Sequence, residues 1–305
     1  MKEREMKNPW WIIALTVVVC VMVAALMLWP KQTQPQITFT EPTTTVTPTT
    51  AAPTTVPPTT AAPTTVPSTE PPTEPPTEPP TEPTEPALAA FAESKGLELS
   101  QWPESLVQLY ERNPEAAEFV ENYPELKNKK FKINLGKVKK LKEVPLYMQW
   151  DKRWGYTDYG GSPLGVSGCG PTCLSMVSVY LLGKEKYDPK YIAEFSKDNG
   201  YCVAGNGSSW TLMSLGGKQL GLDVEEVRLH KPTILGHLEA GRPMIFIMGP
   251  GDFTTGGHFI VVTGCEGDML KVNDPNSKAN SEKLWDYDDI CSQIRNLWVF
   301  RKAKK

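Results

Sequence analysis

Ser167-Gly168-Cys169-Gly170-Pro171-Thr172-Cys173-Leu174-Ser175-Met176-Val177 is the stretch on which the reading of this chain turns. Pro171 suits the first position of a helix, where a missing N–H costs nothing and the fixed φ is already helical. That predicts a helix over 171–182 with Cys169 just ahead of it. A thiol there meets unpaired N–H groups and the positive end of the helix dipole, and both favour the thiolate. Gly168 and Gly170 leave room for a substrate backbone, which makes Gly168 a candidate substrate contact. A lone cysteine is more often a buried structural residue, but one between two glycines has little side-chain company. Cys173, one turn into the helix, is the rival nucleophile. It is less exposed and farther from the orphan N–H groups.

Two later stretches supply partners. Thr255-Gly256-Gly257-His258-Phe259-Ile260-Val261-Val262 places His258, one of only three histidines, at the opening of a strand after a glycine pair. Gly257 is a second candidate substrate contact. Lys271-Val272-Asn273-Asp274-Pro275-Asn276-Ser277 follows a tight connection at 264–268. A three-residue loop (265–267) would put His258 opposite Asp274, and a two-residue loop would shift the partner to Asn273 or Pro275. Asp274 or Asn273 would then orient the imidazole through Nδ1–H, leaving Nε2 to take the thiol proton. Nucleophile, base and orienter together form the arrangement of a cysteine-dependent acyl-transfer site.

Taken in order, VPLYMQWDKRWG (144–155), GCGPTCLSMV (168–177) and GHFIVVTGCEGDMLKVNDPNS (257–277) resemble the C39-like peptidases, a branch of the papain-like cysteine peptidases. The resemblance covers 141–305 and implies an α+β, papain-like fold: a helical lobe carries the nucleophile and an antiparallel sheet carries His and Asp. It implies Cys169 as nucleophile, His258 as base, Asp274 as orienter and Gln149 as an oxyanion-hole donor beside the Cys169 N–H. Trp150 is a further candidate substrate contact. Members attached to export transporters cut leader peptides after a double glycine. Here there is no phosphate-loop motif, and Gln149 stands 20 positions before Cys169, so leader processing does not carry over.

Outside this region, 10–29 (WWIIALTVVVCVMVAALMLW) holds twenty uncharged residues, the length of a helix crossing roughly 30 Å of hydrocarbon. Lys2, Arg4 and Lys7 precede it, which predicts a cytoplasmic tail at 1–9, a single-pass signal-anchor and an extracellular remainder. Residues 30–87 carry 17 of the 29 prolines and a TEPP repeat, a composition predicting a disordered stalk. Residues 88–140 read as a helical cap or spacer. Gly96 ends a first helix, Pro103 opens a second, Asn113-Pro114-Glu115 opens a third and Pro124 closes it. Beyond it, helices are expected at 189–197, 208–220 and 232–238, and strands at 244–248, 258–263, 269–273 and 296–300.

A net charge of −3, set by the stalk glutamates, gives no electrostatic case for binding nucleic acid. Cys169, Cys173 and one distant histidine are too sparse a set for zinc, so neither metal nor cofactor is expected. Disulfides among Cys173, Cys202, Cys265 and Cys291 stay open, as does the oligomeric state. The expected function is a membrane-anchored extracytoplasmic thiol hydrolase, a cysteine peptidase acting on peptide or cell-wall peptide amide bonds. The alternatives are a transpeptidase or amidase using the same triad, and an inactive surface binding module on the same fold.

Overall fold

The computed structural model describes residues 87–304. The expected tail, membrane span and nearly all of the stalk lie outside these residues. Among the described residues, no helix is long and apolar enough to cross a membrane.

The described residues begin with short helices: α1 (Ala87–Ser94), α2 (Glu104–Arg112) and α3 (Ala117–Glu121). Gly96 adopts φ 65° just past the first, and Pro103 precedes the second, as their sequence signals require. Pro124 does not close the third helix. It sits in the first turn of a further short helix, Tyr123–Leu126, because a missing N–H is harmless there. Leu88, Leu106, Leu109, Phe119 and Val120 meet in a small core of their own, and Trp102 closes it by donating its indole N–H to the Val120 carbonyl.

The second part is built on α4 (Cys169–Leu182), α5 (Pro189–Asp198) and α6 (Lys231–Glu239) against a six-stranded sheet. Its strands are β1 (Leu222–Glu226), β2 (Met244–Met248), β3 (His258–Glu266), β4 (Met269–Asn273), β5 (Leu284–Asp286) and β6 (Ile294–Lys302). All neighbours pair antiparallel, in the order β1-β6-β2-β3-β4-β5. Residues 170–179 of α4 are buried without a gap, so this helix has no polar face. It packs against the sheet face carrying Ile245, Val261 and Phe300, while Phe246, Ile260 and Val299 build a second core on the opposite face.

One expected helix is redrawn here, and one loop length left open above is decided. The helix foreseen at 208–220 runs only over 211–219, π-helical at Leu212–Gly216 and α-helical at Gly217–Gln219, while its expected first residue belongs to a two-residue strand at Gly207–Ser208. Gly217 lets this helix lie close on the sheet, since a Cβ there would lie 2.8 Å from Val224 of β1. The loop between β3 and β4 has two residues, because the strands stay paired to Glu266↔Met269. Gly267 takes φ 61° in the first central position, as a primed hairpin turn wants. A bulge between Val262 and Gly264 then moves the register again.

Candidate active site

Cys169 is the first residue of α4, with Gly168 as N-cap, so the helix starts two residues earlier than Pro171 suggested. Its N–H has no acceptor within the helix, and its half-buried side chain sits at the dipole's positive end. Burial pushes the Cys169 thiol up. Hydrogen bonding and charge from His258, helped by the N–H groups of Phe259 and Gly170, outweigh this and hold it below the ordinary thiol range. Cys173 is fully buried and donates its S–H to the Phe259 carbonyl at 3.2 Å. Burial pushes that thiol well above its usual value. One peptide residue, Phe259, therefore serves both cysteines. It is available because β4 pairs with β3 only as far as Val261↔Asn273, leaving Phe259 without a strand partner on that side.

His258 is 6 % exposed and Asp274 1 %. The imidazole Nε2 lies 2.7 Å from Asp274 Oδ1, and since a carboxylate only accepts, Nε2 carries the proton in that bond. This reverses the expected ring orientation. Continuing the Val261↔Asn273 register would bring Asn276, not Asp274, opposite His258. Asp274 therefore reaches the ring diagonally and meets Nε2, and Nδ1 is left for the thiol. Asn273 turns elsewhere, donating its side-chain amide to the Val144 carbonyl at 3.0 Å. Burial alone lowers the His258 pKa, but the Asp274 charge and hydrogen bond, with Cys169 behind them, raise it to about 10. Burial raises Asp274, and His258, Asn280 and the Asn276 N–H pull it net below the usual carboxylate value.

Gln149 is buried between the turn before Cys169 and the loop after Asp274. Its backbone N–H donates to Pro275 O at 2.7 Å, and its side-chain amide donates to Gly165 O and Val166 O at 2.9 and 3.1 Å. Both amide hydrogens are spent on the protein, and Oε1 is buried without a partner. The oxyanion donation expected of Gln149 is therefore not formed in this arrangement, because two backbone carbonyls compete for its donors. The indole of Trp150 donates to Asn276 O at 3.4 Å, and the ring lies under Lys278 and against the small helical core. Gly257 is exposed at the mouth of β3. Gly168 is buried, and a Cβ there would collide with Leu164.

Gly170 is glycine for a packing reason. An added Cβ would lie 2.5 Å from Ser208 Oγ and 2.8 Å from its Cβ. Ser208 is not free to swing away, because its hydroxyl is held by Tyr159 at 2.6 Å. Gly170→Ala is expected to cost about 1–3 kcal/mol in urea unfolding, by forcing the Gly207–Ser208 strand off the helix start. Gly256→Ala, with nothing within 4 Å, should stay within about 0.5 kcal/mol.

Several residues that shape the site carried no local signal: Phe259 through its backbone, and Asn276, Asn280 and Ser281 around Asp274. Ser277 is the exception. It is the N-cap of a short helix, α7 (Lys278–Glu282), and a serine ahead of a helical run is a readable cap.

A thiol at a helix start, facing an imidazole backed by a carboxylate on an antiparallel sheet, is the arrangement of a cysteine-peptidase-like fold. The chain belongs to the Peptidase_C39 like family, whose sequence profile matches residues 141–305. Among solved structures, it is similar to the peptidase domain of Streptococcus ComA, a bi-functional ABC transporter involved in a quorum-sensing pathway. Identity there is 21 %, with 45 % of this chain and 93 % of that one covered at a TM-score of 0.36. It is also similar to a chain described as a C39-like peptidase from Bacillus anthracis, at 16 % identity, with 53 % and 96 % covered and a TM-score of 0.37. No curated protein matches the chain.

Proposed function

We propose that this protein is a thiol hydrolase, a cysteine peptidase that cleaves peptide or cell-wall peptide amide bonds outside the cytoplasm. In this reading residues 10–29 anchor it in the membrane and the stalk at 30–87 carries the site outward. The observation that carries the chemistry is His258, bonded on one side to buried Asp274 and interacting on the other with Cys169.

The thiol proton passes to His258 Nδ1, giving a thiolate–imidazolium pair. The thiolate attacks the substrate carbonyl carbon, and the Cys169 N–H stands ready for the developing oxyanion. Imidazolium returns its proton to the leaving amine, the C–N bond breaks and a thioester remains. Water then attacks the thioester, with His258 taking its proton, and releases the acid and the free thiol. The raised His258 value supports this assignment, since a lowered thiol and a raised imidazole leave a wide pH range in which both are charged.

A second reading, a binding module on the same fold without turnover, is favoured by one observation: both donors of the Gln149 amide are already spent. The two readings separate on thiol alkylation of the full chain, purified in mild detergent, followed against pH. For the hydrolase, Cys169 reacts with an inflection clearly below the ordinary thiol value of about 8.5. Cell-wall peptides or a peptide library are then cut, and a thioester adduct is trapped on Cys169. A Cys169 that titrates like a free thiol would sink the hydrolase.

A further inference from the structure

The helical segment ahead of residue 141 lies outside the match to the family, and its residue types suggest no chemistry. One corner of it nevertheless touches the loop that holds Asp274. Every group fixing that carboxylate, apart from His258, comes from residues 276–281. The Asn276 N–H donates to Oδ1 at 2.8 Å, the Asn280 amide donates to Oδ2 at 2.8 Å, and the Asp274 N–H is taken by Ser281 Oγ at 2.9 Å. This stretch has little internal support. Its helix α7 is five residues long, far below the length at which helix formation sustains itself.

Ser277 braces the stretch from within, the indoles of Trp150 and Trp285 donate to the Asn276 and Asn280 carbonyls, and its other contacts end on the helical segment. Asn113, 8 % exposed, donates its side-chain amide to Asn276 O at 2.8 Å and to Asn276 Oδ1 at 3.2 Å. Asn113 Oδ1 is occupied by the Glu115 N–H at 3.1 Å, so the amide can only point its donors at Asn276. The Glu115 carboxylate accepts from Ser277 Oγ at 2.8 Å, from the Lys278 N–H at 2.8 Å and from the Ala279 N–H at 3.3 Å. Asn276 is thus gripped on its carbonyl by Asn113 while its N–H grips Asp274. Asn280 is carried by a helical turn whose first N–H groups close on Glu115.

We infer that Asn113 and Glu115 form a clamp that positions Asp274 against His258, making the segment before the family-matched region part of the site's machinery rather than a spacer. The inference rests on the proposed roles of His258 and Asp274. Asn113 and Glu115 touch neither thiol nor imidazole and act through the 276–281 loop. They are positioning residues.

The test reads His258, not turnover. Asp274 and Cys169 are the ionisable groups acting on its ring, so its titration reports how well Asp274 is held. The full chain with nitrogen-labelled histidine is titrated by NMR as wild type, Asn113→Ala, Glu115→Ala and Glu115→Gln. Glu125→Ala, on an exposed residue paired only with Lys129, is the control. The His258 midpoint is expected to fall by about one pH unit or more, about tenfold in proton affinity, in both alanine variants. Glu115→Gln, which keeps one acceptor oxygen, should fall between, and Glu125→Ala should match wild type.

Midpoints in all three clamp variants that superimpose on wild type would overturn the inference. So would loss of the fold in the isosteric Glu115→Gln, since the contact would then serve folding rather than positioning. An unactivated Cys169 whose His258 still responds to Asn113 and Glu115 would remove the hydrolase reading and leave the clamp standing.

Discussion

Cys169→Ala is expected to abolish peptide turnover, by at least about 10⁴-fold, and to remove the fast-alkylating thiol, whereas Cys173→Ala keeps both. The two sulfurs are one helical turn apart, yet their environments oppose each other. Cys169 opens the helix beside His258 and takes N–H donors from Gly170 and Phe259, all of which favour the anion. Cys173 is sealed, donates its S–H to Phe259 O, and feels the negative charges of Cys169 and Asp274. A thiolate at 173 would give up a hydrogen bond and gain repulsion. Cys173→Ala instead removes a donor from a buried carbonyl and leaves a small void, which should lower stability by about 1–3 kcal/mol. The measurements are alkylation rate, mass-mapped adduct position and urea midpoint for each variant. Fast alkylation that survives Cys169→Ala and disappears in Cys173→Ala would reverse the assignment.

His258→Ala is the second large effect. Without the imidazole, the hydrogen bond and charge that oppose desolvation of Cys169 are gone and only the backbone donors remain. The thiol should then titrate at or above its ordinary value, and alkylation at pH 6 should fall by about 100-fold, equivalent to two pH units. In the wild type, reactivity rises as pH climbs through the lowered thiol value. The ion pair is lost only as His258 deprotonates near 10. Asp274 also loses its main counter-charge in this variant, so its carboxyl rises and takes a proton rather than staying charged in a buried site. His258→Gln keeps an amide donor for Asp274 and separates the two consequences: it should preserve the fold better than Ala while leaving the thiol just as unreactive. An unchanged alkylation profile in both variants would break the proposed pairing.

How far these features were legible follows from the range over which each is decided. The helix at 169–182 was readable because Pro171, the flanking glycines and the apolar run are local signals. Strands at 244–248 and 269–273 were readable for the same reason, as unbroken or alternating apolar stretches. Two strands of the six-stranded sheet went unrecognised. Leu222–Glu226 buries only Leu222 and Val224 and is an edge strand that exists by pairing with β6, and Leu284–Asp286 is three residues long. The tight turn at Gly267 was visible, but the bulge after Val262 was not. A turn at 267–268 rather than 265–267 moves the position opposite His258 from Asp274 to Ser277, and the one extra residue of the bulge brings it back to Asn276, so Asp274 meets the ring diagonally.

Residue types and their order alone determined the elements that place a thiol at a helix start, a histidine at a strand opening and an aspartate after the next strand. These depend on backbone propensity and apolar periodicity, which act over a few residues. Only the tertiary structure decided which ring nitrogen meets Asp274, that Cys173 is sealed under Phe259, that the Gln149 amide is spent on Gly165 and Val166, and that Asn113 and Glu115 hold a loop more than 160 positions away. Each of these is a hydrogen bond or a burial set by how two distant segments meet. The strength of such a contact depends on tenths of an ångström and on competing partners, which no local pattern encodes.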